Sequence, residues 1–146
     1  LANMTEFGTA GGATSLHLGM MCRLRRGKLI TFDFHETRWG VVRQAWIPEN
    51  MEFQEQNLLI PNGNPVAIRA LQRENLMAFM DNGDKKREIN TYAKYLPSGS
   101  ILVTHDWNSE VRESDSAKTL EQEHFVPLFP NFAEKIGAFT RAWRKL

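Results

Sequence analysis

Short apolar runs alternate along this chain with longer stretches of mixed polarity, as they do where strands and helices take turns. Residues 2–6 read as a first short strand ending at Glu6, and Gly8 to Gly12 as a turn. The helical spacing of Leu16, Met20 and Cys22 then predicts a helix over 13–26, with Gly27 as its stop. KLITFDF, at 28–34, reads as a buried strand, and 36–47 as a second helix. After a turn at Pro48 a third strand is expected over 51–54, followed by a loop at 60–65 and a short helix over 66–73. LMAFM (76–80) and SILVT (100–104) are the fourth and fifth strands. They flank a helix over 85–96, and Pro97-Ser98-Gly99 makes the turn before the fifth strand. The last forty residues predict a polar helix over 109–123, a strand over 125–129, and an element over 136–143 that Gly137 and its aromatics favour as strand over helix. The fold class expected is α/β: a doubly wound, mostly parallel, Rossmann-like sheet with helices on both faces and an antiparallel C-terminal hairpin.

Composition narrows the class without deciding it. With 146 residues, 42% hydrophobic and 24% charged, the chain has room for one domain with a real core, expected to span 1–146. A formal net charge of +1 is too small for a protein that works by gripping phosphates, so nucleic acid is not the expected partner. Cys22 has no second cysteine with which to form a disulfide, and no apolar run approaches a membrane span. A cytoplasmic, membrane-free protein is therefore expected. The chain opens on Leu1, so it is also expected that something N-terminal is missing from it.

Candidate chemistry gathers at the ends of the predicted strands. Glu6-Phe7-Gly8-Thr9-Ala10-Gly11-Gly12 is a glycine turn between strand and helix, where ligands meet backbone N–H groups. Alanine at 10 and 13 breaks the dinucleotide fingerprint. Glu6 would repel a pyrophosphate, yet it suits a ligand that carries an ammonium or sulfonium. The alternative is a turn that merely starts a helix. Asp33, ending KLITFDF, can take both hydroxyls of a ribose, or else is a solvated loop aspartate. Asp81 and Asp106 each follow a buried strand and share one sheet edge. With Asn108 and His105 nearby they could hold Mg²⁺ through oxygen ligands, and His105 or Asp106 could serve as a base. Asp84 reads as a helix cap. Arg23, Arg25, Arg26 and Lys28 read as cations at a helix end, and Trp39, Trp46 and Trp143 as core or interface.

In order, EFGTAGG, KLITFDF, MEFQEQN and LMAFMDNGDKKREINTYAKYLPSGSILVTHDW resemble the class I S-adenosylmethionine-dependent methyltransferases. The likeness is to the cephalosporin-hydroxylase-like and macrocin-type O-methyltransferases, over roughly residues 4 to 108. The resemblance implies that Glu6, Gly8, Thr9 and Gly12 surround the methionine moiety and that Asp33 holds the ribose. Asn57 falls where such proteins contact adenine, and Asp81 also lies on the cofactor side. Asp81, Asp106 and Asn108 match the region that binds Mg²⁺ in metal-dependent members, although Trp107 departs from the usual Asp-Asp or Asp-Asn pair. His105 and Asp106 are the implied catalytic residues, and a small-molecule hydroxyl is the implied acceptor. Two alternatives remain: a truncated or inactive domain that binds the cofactor without chemistry, for want of a helical cap before the first strand, and an RNA methyltransferase. A homodimer would cover an open edge.

Overall fold

The computed structural model describes residues 1–34 and 47–146. The apolar runs become strands, and NMTEF and LITFD are buried through most of their length, as inner strands of a parallel sheet are. In chain order the elements are β1 (Asn3–Phe7), α1 (Ala13–Leu24), β2 (Leu29–Asp33), β3 (Met51–Glu55), α2 (Pro65–Leu71), β4 (Leu76–Met80) and α3 (Lys85–Tyr92). A 3-10 turn at Ala93–Tyr95 leads to β5 (Ile101–Thr104), α4 (Glu113–Gln122), β6 (Phe125–Leu128), α5 (Pro130–Lys135) and β7 (Arg141–Lys145).

Among the described residues the sheet runs β3-β2-β1-β4-β5-β7-β6. The pairs among β1 to β5 are parallel, and β7 runs against both of its neighbours. The expected α/β class, the parallel strands and the antiparallel C-terminal hairpin are all present. Helices cover both faces. On one, α1 packs Cys22 against Met4 and Leu29. On the other, Thr5 donates to the Ala70 carbonyl of α2 at 3.1 Å, and the Phe7 ring meets Phe32 and Tyr92 edge-on at 5.6 and 4.9 Å. This second face holds most of the core. Each ring buried there contributes on the order of 2 kcal/mol through the water it sheds. Tyr92 keeps its hydroxyl satisfied by donating to the Leu58 carbonyl at 2.7 Å and accepting from the Asn64 N–H at 2.7 Å.

Several boundaries differ from expectation. The first helix stops at Leu24, and Arg26, not Gly27, takes the left-handed conformation that ends it. Gly27 is needed for another reason: a Cβ there would fall on the Ala2 carbonyl of the neighbouring strand entrance. The element expected over 136–143 is a strand only from Arg141. Ahead of it lies α5, too short to show a helical period and opened by Pro130 after a left-handed Phe129. The helix expected over 36–47, with Trp39 and Trp46, lies outside the described residues except for Ile47, which has no regular structure. Trp143 is core, its ring 5.1 Å from that of Trp107, and Cys22 is fully buried. Asp84 caps α3 as expected, accepting from the Arg87 N–H at 3.0 Å. Arg23, Arg25 and Arg26 are exposed.

Candidate active site

From β1 the chain crosses over to β2 and then β3 on one side, and returns to place β4 and β5 on the other. Between β1 and β4 the winding reverses, and that reversal opens a crevice at the C-terminal strand ends. Both candidate constellations stand at this edge.

The glycine turn occupies the β1 side. Gly8 has φ +97°, and a Cβ on it would strike the Asp81 carbonyl at the end of β4, so only glycine lets the two strand ends come together. Gly12, at φ 80°, leads into α1, whose first turn has no side-chain cap among the described residues and so offers its leading N–H groups to a ligand. Gly11 is exposed, with open space where a side chain would stand.

Beneath the turn lie the two acids expected to face a ligand, and both are engaged with the protein. Glu6 is fully buried; its Oε2 accepts from the Ser15 hydroxyl and, at 2.6 Å, from Thr31, while Oε1 has no partner among the described residues. Burial outweighs those two bonds and pushes the carboxyl up to about 7. Asp33, 2% exposed, accepts from the Ala10 N–H at 2.8 Å and from the Phe34 N–H at 2.6 Å, pinning the turn from the β2 side. Thr9 is buried too, its hydroxyl 2.7 Å from that of Thr31. Asn57 is exposed beyond β3, and its side chain accepts from the Leu59 N–H at 2.9 Å.

Across the crevice the β4 and β5 ends carry a charged network. Asp81 and Asp106 do come together, and the group at their centre is one that the sequence reading missed. The Lys85 ammonium lies 3.3 Å from Asp81 Oδ1, 3.2 Å from Asp106 Oδ2 and 2.6 Å from Glu110 Oε2, with its side chain 3% exposed. Burial works against its charge, but the Glu110 and Asp106 carboxylates outweigh burial and hold the ammonium above the ordinary lysine range. Burial raises Asp81, a rise that Lys85 only partly offsets. At Asp106 the balance is reversed: hydrogen bonding from Lys85, with His105 close by, overcomes desolvation and holds the carboxyl low. His105 Nδ1 stands 3.0 Å from Asp106 Oδ1. Asn108 is exposed in the bend after β5, where its backbone N–H donates to the Val111 carbonyl.

Lys85 and Thr31 left faint signals in the sequence. Lys85 follows Asp81 at a spacing of i,i+4, but Glu110 reaches it only through the tertiary fold. Thr31 lies opposite Glu6 in the β1–β2 register, a polar residue between Ile30 and Phe32. A cavity of about 570 Å³ opens beyond Trp107 and Asn108, between α4 and the β6–β7 hairpin, with Phe125, Arg141 and Trp143 in its wall.

No protein-family model matches the sequence, and no curated protein matches it. Solved structures do. An S-adenosylhomocysteine-bound methyltransferase of Podospora anserina superposes with a TM-score of 0.66 at 15% identity, over 99% of this chain and 72% of that one. A SAM-dependent methyltransferase of Aquifex aeolicus gives 0.62 at 15% identity, over 99% and 81%. The tRNA (m1A58) methyltransferase of the same organism gives 0.63 at 15%, over 99% and 62%. At such identities the likeness is one of fold.

Proposed function

We propose that this chain binds S-adenosylmethionine in the crevice between β1 and β4 and transfers its methyl group to a hydroxyl oxygen of a small molecule. The observation that carries this is the glycine turn at the winding reversal, held from below by Glu6 and Asp33 and opening onto an uncapped helix start. The methyltransferase descriptions of its structural neighbours support it. The residues fit the cofactor. The leading N–H groups of α1 suit a carboxylate, and the lone pairs of Asp33 not used by Ala10 and Phe34 suit ribose hydroxyls. Glu6 supports the turn that presents these groups.

When bound, the cofactor supplies a methyl carbon whose C–S bond breaks toward sulfur as an acceptor oxygen attacks. The chain's own task is then to place that oxygen and take its proton. Asp106 is held low and is therefore a weak base, whereas His105 turns Nδ1 onto Asp106 and leaves Nε2 to receive the proton. The cavity lined by Trp107 and Asn108, the residues that follow Asp106 in the chain, could take an acceptor's apolar body.

RNA as acceptor is less well served. Arg23, Arg25 and Arg26 lie at the far end of α1, a helix of 12 residues, and so roughly 18 Å from the crevice. Calorimetric titration with S-adenosylmethionine, with and without Mg²⁺, tests the proposal. Micromolar binding that Asp33→Ala removes is expected, and no heat in either condition would refute it.

A further inference from the structure

The carboxylates and imidazole at the β4 and β5 ends have the composition of a divalent-metal site: ligand atoms of Asp81, His105 and Asp106 all lie within 4.8 Å of one another. Those atoms are already engaged. Lys85 Nζ approaches Asp81 Oδ1 at 3.3 Å, Asp106 Oδ2 at 3.2 Å and Glu110 Oε2 at 2.6 Å, with the Asn82 carbonyl a fourth oxygen at 3.3 Å. His105 directs Nδ1 at Asp106 Oδ1, 3.0 Å away, and that nitrogen is not offering a lone pair to a metal while it donates there. An exposed lysine could swing aside for an incoming ion. This one is 3% exposed and held from three directions, so an ion entering among these oxygens would strand a buried ammonium next to its own charge.

We propose that Lys85 is the resident cation of this site, standing where a divalent ion would otherwise bind, and that it is a positioning residue for the acceptor chemistry. It joins the β4 end, through Asp81 and Asn82, to the bend after β5, through Asp106 and Glu110, as a metal bridging the two would do. By fixing Asp106 it fixes the group against which His105 is oriented. The role in methyl transfer rests on the function proposed above, whereas the exclusion of metal rests on the ion pairs alone.

Electron paramagnetic resonance of Mn²⁺ separates the two. Wild-type protein should leave the spectrum that of the free aquo ion. Lys85→Met, which removes the charge and keeps most of the bulk, should bind Mn²⁺ at least about tenfold more tightly. That gain tests the exclusion of metal, and the turnover measurements test the positioning role. Turnover, once an acceptor is in hand, should be indifferent to a chelator in the wild type, lost in Lys85→Met, and partly restored there by Mn²⁺. Micromolar Mn²⁺ binding by the wild type would overturn the proposal, as would a folded Lys85→Met that binds no better. Should a melting curve show Lys85→Met unfolded, the wild-type titration decides by itself. Failure of S-adenosylmethionine to bind would remove the function and leave the Mn²⁺ result standing.

Discussion

The two walls of the crevice are built on opposite principles. On the β1 side the turn is shaped by backbone geometry and held from within by buried acids whose partners are hydroxyls and N–H groups. On the β4–β5 side, partly exposed side chains of opposite charge hold one another in place around a single lysine. The first wall suits a fixed ligand, because its donors are in position before anything binds and little is lost in ordering them. The second can exchange protons with solvent, because the acids and the imidazole around the buried Lys85 are partly exposed. Under the proposed function the first wall is the cofactor shelf and the second the chemical wall, each held by a different kind of interaction.

Substituting the residue where the walls touch should have the largest effect. Gly8→Ala would drive a Cβ into the Asp81 carbonyl and hold alanine at φ +97°, so a loss of roughly 3 kcal/mol is expected in denaturant melts. A loss below about 1 kcal/mol would mean that the walls are not in rigid contact.

Next in size is the pH dependence of the buried wall. With its pKa raised from 4.5 to about 7 in the folded protein, Glu6 binds more protons there than in the unfolded chain. Its contribution is therefore unpenalised below about pH 4.5, declines as pH rises to about 7, and levels off above. The fall should be about 3 kcal/mol. Glu88, raised by burial to about 8, extends the decline at its upper end. Glu6→Gln should flatten the lower part of the profile, and an unchanged slope would show that Glu6 does not titrate there. The charged wall should respond least. Glu110→Gln removes the shortest Lys85 bond from a side chain that is 54% exposed. A loss of about 1 kcal/mol is expected, shrinking as salt is added. A salt-independent loss would place that pair out of reach of solvent.

Legibility in the sequence divides along the same line. The turn could be read because its elements are local: glycines between a strand and a helix, and acids ending two apolar runs. The parallel sheet followed from the alternation of elements, and LMAFM falls on β4 residue for residue. What escaped notice was long-range or internal. Nothing along the chain shows that Glu6 and Asp33 turn inward, since the partners of Glu6 are a helix hydroxyl and a cross-strand threonine. Nor does anything show that Lys85 reaches Glu110. The short α5 escaped because six residues cannot display a helical period.

Gly11 gives the most direct test of the central claim, that the turn is a cofactor site. It is exposed, and nothing among the described residues lies within 4 Å of where its Cβ would stand. Gly11→Asp should therefore fold with an unchanged melting midpoint while placing a carboxylate where an anionic ligand group is to meet the helix start. Calorimetry with S-adenosylhomocysteine should give micromolar affinity for the wild type and at least about tenfold weaker binding for the variant. Equal affinity in both, or no binding by the wild type, would contradict the account.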